Sequence, residues 1–192
     1  MQKIIYLQQI GELDRTILIK LKKNLKWALK NFNISIEILE EVIPLTPAEY
    51  NPLKRQYDAN LIMQNLFKSY KEKDFFRILG ILDNDIYVNR YNFIFGSARH
   101  PDKIYSPYSP VALISIFRLR EEFWGFQADQ ALFELRILKE ALHELGHTFG
   151  LIHCENDCIM IFSNSIDDTD NKPPKFCESC KSSIEIFLKN EI

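Results

Sequence analysis

The stretch His143-Glu144-Leu145-Gly146-His147-Thr148-Phe149-Gly150-Leu151-Ile152-His153-Cys154 gathers three of the chain's four histidines and its first cysteine. His143 and His147 are four residues apart, about one helical turn, so both imidazoles leave the same side of a helix and can meet one metal. Glu144 is turned about 100° further round that helix. From there it can reach a metal-bound water without ligating, the place of a general base. On a continuing helix His153 would lie about 9 Å beyond His147, too far for one tetrahedral site. The chain must therefore turn after Phe149, and Gly150 stands there. Glycine takes left-handed dihedrals without steric cost and commonly ends helices. The turn brings His153 back as a third ligand and leaves the fourth position open, as in a catalytic zinc site. The plainer alternative is a His-Glu-x-x-His pattern that is only a solvated or core helix face.

Cys154-x3-Cys158 and Cys177-x2-Cys180 follow as two close pairs separated by 18 residues. Paired thiolates at this spacing are the usual frame of a structural four-cysteine zinc. Disulfides are the alternative, less suited to a reducing compartment. A lone Cys-x-x-Cys can also be a redox pair, but no strand-to-helix context of that kind surrounds it. The intervening residues include Asn164, Pro173 and Pro174 and read as a loop that a metal would anchor. Because Cys154 directly follows His153, the two metal sites would be joined by one peptide bond.

Working outward, apolar residues from Ala131 to Leu145 recur mostly three or four apart, which predicts a helix over about 128–149 with Asp129 near its start. Earlier helices are expected over 12–32 and 55–70. Ile4–Leu7 and Val111–Phe117 read as apolar strands, and Ile34–Ile38 alternates as a strand. Further strands are expected within 75–88, broken near Asp83-Asn84-Asp85, and over Asn92–Gly96. Residues 97–110, with His100 and three prolines, read as a loop, and His100 as a surface residue. Strands alternating with helices give an α/β (α+β) fold, a mixed twisted sheet with helices packed on it. A single domain over 1–192 is expected, with an N-terminal subdomain (1–150) ending in the zinc helix and a Cys-rich C-terminal subdomain (151–192).

The length of 192 residues suits one domain that buries its own core. A formal net charge of −2 gives no electrostatic case for nucleic acid or an anionic membrane as partner. No apolar run reaches the roughly 18 residues of a membrane helix, and none near Met1 suits a signal peptide, so a cytoplasmic protein is expected; a monomer is expected as well.

The order His143, Glu144, His147, Gly150, His153, Cys154, Cys158, Met160, Cys177, Cys180 resembles the archaemetzincins, a branch of the metzincin-like zinc metallopeptidases. Each of the two longer gaps is one residue shorter than the family's usual spacing. The resemblance implies a metzincin-like protease fold and two Zn2+ per chain. One zinc would be catalytic, on His143, His147 and His153 with Glu144 as base; the other would be structural, on the four cysteines. It implies that Met160 packs in a turn beneath the catalytic zinc. It also implies hydrolysis of a peptide or protein substrate that pairs with an exposed upper edge strand, a role that falls on Val111–Phe117. The same apolar run also fits a buried central strand. No tyrosine follows Tyr108, so an additional tyrosine ligand after the methionine is absent. The other functional reading is a zinc-stabilised peptide-binding module with weak or no hydrolysis; Glu144 favours the enzyme.

Overall fold

The computed structural model describes residues 3–70, 73, 75–99 and 110–190. His100 lies outside the described residues.

Two runs without polar alternation form the centre of the sheet. β5 (Arg77–Leu82) and β8 (Val111–Ser115) are buried at every position. Such runs suit strands covered on both faces. Their side chains divide by the strand period: Leu79, Ile81, Ala112 and Ile114 enter one core, while Ile78, Leu82, Val111 and Leu113 enter a second on the opposite face. The five-stranded sheet runs β2 (Ile34–Ile38), β1 (Lys3–Ile10), β5, β8, β7 (Gly96–Ala98). All neighbours are parallel except β7, which pairs antiparallel with β8 from Gly96↔Ile114 to Ala98↔Ala112. A small second sheet joins β3 (Tyr50–Asn51), β4 (Gln56–Asp58) and β6 (Ile86–Tyr87). The expected mixed α/β architecture is present.

The edge assignment needs correcting. β8 lies between β5 and β7 and is fully buried, so Val111–Ser115 is an inner strand. The upper edge is β7, which starts where the Asn92–Gly96 strand was expected to end.

α1 (Arg15–Ala28) starts at Asp14, whose carboxylate accepts from Thr16 N, and buries Leu18, Leu21 and Leu25. α2 (Ala59–Tyr70) begins later than its periodicity suggests, because residues 56–58 are taken by β4. α2 covers one face of the sheet through Ile62, Met63 and Leu66. α1 and α3 (Gln130–Thr148) cover the other. Asp129 is the N-cap of α3, accepting from Leu132 N at 2.9 Å. This satisfies a donor the first turn would otherwise leave free.

Two helices in the tail were not foreseen, α4 (Ile166–Asn171) and α5 (Glu178–Asn190). α5 places Ile184 and Leu188 in the same core as α1 and α3. Each such side chain contributes about 1.5–3 kcal/mol by leaving water. The tail is thereby packed onto the body that carries α3.

Candidate metal centre

α3 delivers two histidines to one point. His143 Nδ1 donates to Ile159 O at 2.9 Å, and His147 Nδ1 donates to Leu151 O at 2.8 Å. A carbonyl only accepts, so the proton of each neutral ring sits on Nδ1. The two Nε2 atoms, 3.2 Å apart, therefore turn lone pairs toward each other. Two converging lone pairs are a poor arrangement alone and a good one around a cation.

The third histidine arrives through a Schellman turn. Gly150 has φ +86°. Its N–H donates to His147 O at 3.1 Å, and Leu151 N donates to Gly146 O at 3.1 Å. After this reversal His153 stacks over His143 with ring centroids 5.4 Å apart. One nitrogen from each of His143, His147 and His153 lies within 4.8 Å of the others, so the set could hold a metal. The helix end is further pinned from the sheet: buried Arg77 on β5 donates from Nε to Thr148 O at 3.1 Å. A cation there also suits the helix dipole.

The electrostatics keep the rings neutral. Burial drives the His143 pKa down to about 2, with Lys172 and His147 adding to the effect. His153 is lowered by burial and by Lys172. Glu144 is raised well above its usual value by burial and by Glu140, against the pull of Lys172. Burial therefore favours the protonated form of its carboxyl over the charged one.

The four cysteines meet beside this site, with their sulfurs within 4.8 Å of one another. All four are free thiols, and Cys154 and Cys177 lie 3.8 Å apart, sulfur to sulfur. Cys158 Sγ accepts from Met160 N and Cys177 N at 3.5 and 3.3 Å. Cys177 sits just ahead of α5, where the Cys180 backbone N–H lowers its pKa to about 6. Burial raises Cys158 and Cys180. Sulfurs that accept backbone N–H bonds while facing one another suit thiolates around a cation. Met160 is fully buried and packs against Gly146, where a β-carbon would strike its sulfur.

The sequence profile of peptidase family M54 matches residues 7–186. The chain belongs to that family. An archaemetzincin of Pyrococcus furiosus is 37% identical over 187 residues, covering 96% of this chain and 94% of its own. The crystal structure of archaemetzincin from Archaeoglobus fulgidus, complexed with malonate, superposes with a TM-score of 0.75 at 34% identity over 94% of this chain and 99% of that one. The archaemetzincin structure from Methanopyrus kandleri gives 0.79 at 27% identity over 98% and 97%. As a member of M54 the chain is a zinc metallopeptidase, and peptides or proteins are its substrate class.

Around the histidines this M54 chain forms an open cleft of about 230 Å³. One wall is β7, where Gly96 faces Glu144. The segment after Met160 also lines it, with Phe162 against His153 at 4.9 Å between centroids. Glu140, one turn before Glu144, and Lys172, at the end of α4, also line the cleft. Sequence reading passed over Gly96, Glu140 and Lys172 as site residues. The one available signal was the four-residue spacing of Glu140 and Glu144, which puts both carboxyls on one side of α3. Among the described residues no helix is long and apolar enough to cross a membrane.

Proposed function

We propose that this M54 peptidase hydrolyses peptide bonds at a zinc held by His143, His147 and His153, with Glu144 as general base. The observation that carries this reading is the pair of Nε2 lone pairs 3.2 Å apart, each fixed by an Nδ1–H bond to a backbone carbonyl. We assign Cys154, Cys158, Cys177 and Cys180 to a second, structural zinc, giving two ions per chain. Four facing thiols without a bridge suit the reducing interior of a cell. The whole chain is read as one peptidase domain acting as a monomer, with residues 151–192 as its metal-bearing subdomain.

When bound, zinc supplies Lewis acidity that acidifies water and polarises the scissile carbonyl. Glu144 then takes the water's proton on its carboxylate and hands it to the leaving amine. Burial raises its proton affinity above that of an exposed carboxylate, which suits a group that must take up a proton. His143 and His147 keep their orientation through Ile159 O and Leu151 O, so little rearrangement accompanies the reaction. The extended substrate lies along the outer edge of β7, since among the described residues β7 pairs only with β8.

The test combines metal analysis with hydrolysis of a mixed peptide library, with and without chelator. Two zinc ions per chain and chelator-sensitive cleavage are expected. A purified chain that cleaves equally well after complete zinc removal refutes the reading.

A further inference from the structure

Beside the three histidines and Glu144 the cleft holds a buried charge that the proposed reaction does not use. Lys172 is the C-cap of α4, and its side chain is only 1% exposed. Its Nζ lies 2.9 Å from Glu140 Oε1, an oxygen that also accepts from Thr169 Oγ1 at 3.1 Å. The Lys172–Glu140 contact is an ion pair without hydrogen-bond alignment. Among the described residues, Lys172 Nζ and Ser163 Oγ are the two buried side-chain polar atoms left without a hydrogen-bond partner. Both residues line the same cleft as His143, Glu144 and His153.

Their placement is rigid. Ser163 and Lys172 flank the short helix α4, and α4 is clamped to α3. Arg136 grips Asp170 with two bonds of 2.7 and 2.6 Å, and Lys139 Nζ donates to Thr169 O and Asp170 O at 3.0 and 2.7 Å. The Ser165–Asp168 capping box fixes the other end. A buried donor without an acceptor costs free energy, and where such groups persist in a site they mark a place for a ligand. An ammonium has donors only, so its missing partner is an acceptor. A hydroxyl or amide oxygen could meet one donor. A carboxylate has two oxygens for Lys172 and Ser163, and charge-assisted bonds are roughly twice as strong as neutral ones.

We propose that Lys172 and Ser163 form a carboxylate-recognition subsite, which takes an acidic group of the peptide beside the scissile bond. The group is either an Asp or Glu side chain or the terminal carboxylate of a short peptide. Glu140 is the positioning residue that holds the ammonium in the cleft. This subsite rests on the peptidase reading above for what passes through the cleft.

The zinc-loaded full chain is tested on peptides carrying Glu or Gln at one position at a time, each made with a free or an amidated C-terminus. Glu over Gln at one position, or acid over amide, is expected by about tenfold or more in kcat/KM; the arm that responds names the source of the carboxylate. The double variant Glu140→Gln, Lys172→Met removes the ion pair as a unit and strands no buried charge. It should bring that ratio to about one, and Ser163→Ala should lower it about threefold. Binding of the same peptide pairs to the Glu144→Gln protein, read by calorimetry, gives a measure independent of turnover. Equal cleavage and equal binding across every pair overturn the subsite, as does a preference that survives the double variant. Peptides bound with the carboxylate preference yet never cleaved would support the subsite and sink the peptidase mechanism.

Discussion

The α-carbon of Gly96 faces the carboxyl of Glu144 so closely that a methyl group there would lie 2.6 Å from both Cγ and Oε1. The edge strand and Glu144, the proposed general base, thus share one van der Waals gap. Gly96→Ala should displace Glu144 and lower kcat about 10²-fold, the cost of misplacing a catalytic group by about an ångström. The thermal midpoint should move far less, because the substitution lies at the cleft wall. Steady-state kinetics beside a melting curve check this; an unchanged kcat would show that the carboxyl has other room.

Glu144→Gln keeps the shape of the side chain and removes its ability to carry a proton. Zinc content should stay at the wild-type value while turnover falls about 10²–10⁴-fold. Metal analysis and a peptide assay on the same preparation decide it. Loss of zinc together with activity would make Glu144 a ligand.

Cys177→Ser should weaken zinc at the histidines, not only at the cysteines. The link is short: Cys154 follows His153, and Cys154 N donates to Met160 O at 3.0 Å, two residues beyond Cys158. A drop in affinity at the histidine site of about 10–100-fold is expected, the scale of a lost supporting contact. Competition with a chromogenic chelator measures it, and an unaltered histidine-site affinity would uncouple the two centres.

In the metal-free chain the buried histidines and Glu144 should contribute to the pH dependence of stability with opposite signs. His143 has a folded pKa far below its ordinary 6.5, so its contribution is present above 6.5 and is lost as pH falls from there toward about 2. His153 adds to the same loss. Glu144 has the opposite sign: its folded pKa lies well above 4.5, so its contribution is full below 4.5 and is lost as pH rises through the folded value. Each group gives a slope of at most about 1.4 kcal/mol per pH unit. Denaturation of chelated wild type and Glu144→Gln as a function of pH tests the signs. The variant's advantage should grow as pH rises above 4.5; a constant gap would contradict the assignment.

The helix, its three histidines and the four cysteines were legible because each depends on spacing along one short segment. His143 and His147 share a helix face by arithmetic, and Gly150 announces the turn that returns His153. The order of strands is a property of the whole sheet. Val111–Ser115 is apolar because helices cover both its faces, and that pattern is the same whether a strand is second or last in line. α5 was hidden because the cysteines beside it dominated the reading, although Ile184 and Leu188 are spaced as a buried helix face. Lys172 was unreadable for a different reason. It follows an Asp-rich stretch that looks solvated, and only the docking of α4 on α3 through Arg136, Lys139 and Glu140 turns it inward.

The bond from His143 to Ile159 O has a consequence for how the molecule comes into being. The His143 ring belongs to α3, yet the carbonyl that aims it lies in the tail, and Ile159 N is itself held by Lys175 O at 2.8 Å. A nascent chain emerging from the ribosome can form α3 and most of the sheet while still lacking an oriented site. The histidine cluster is therefore fully oriented only once the tail as far as Lys175 has folded against α3.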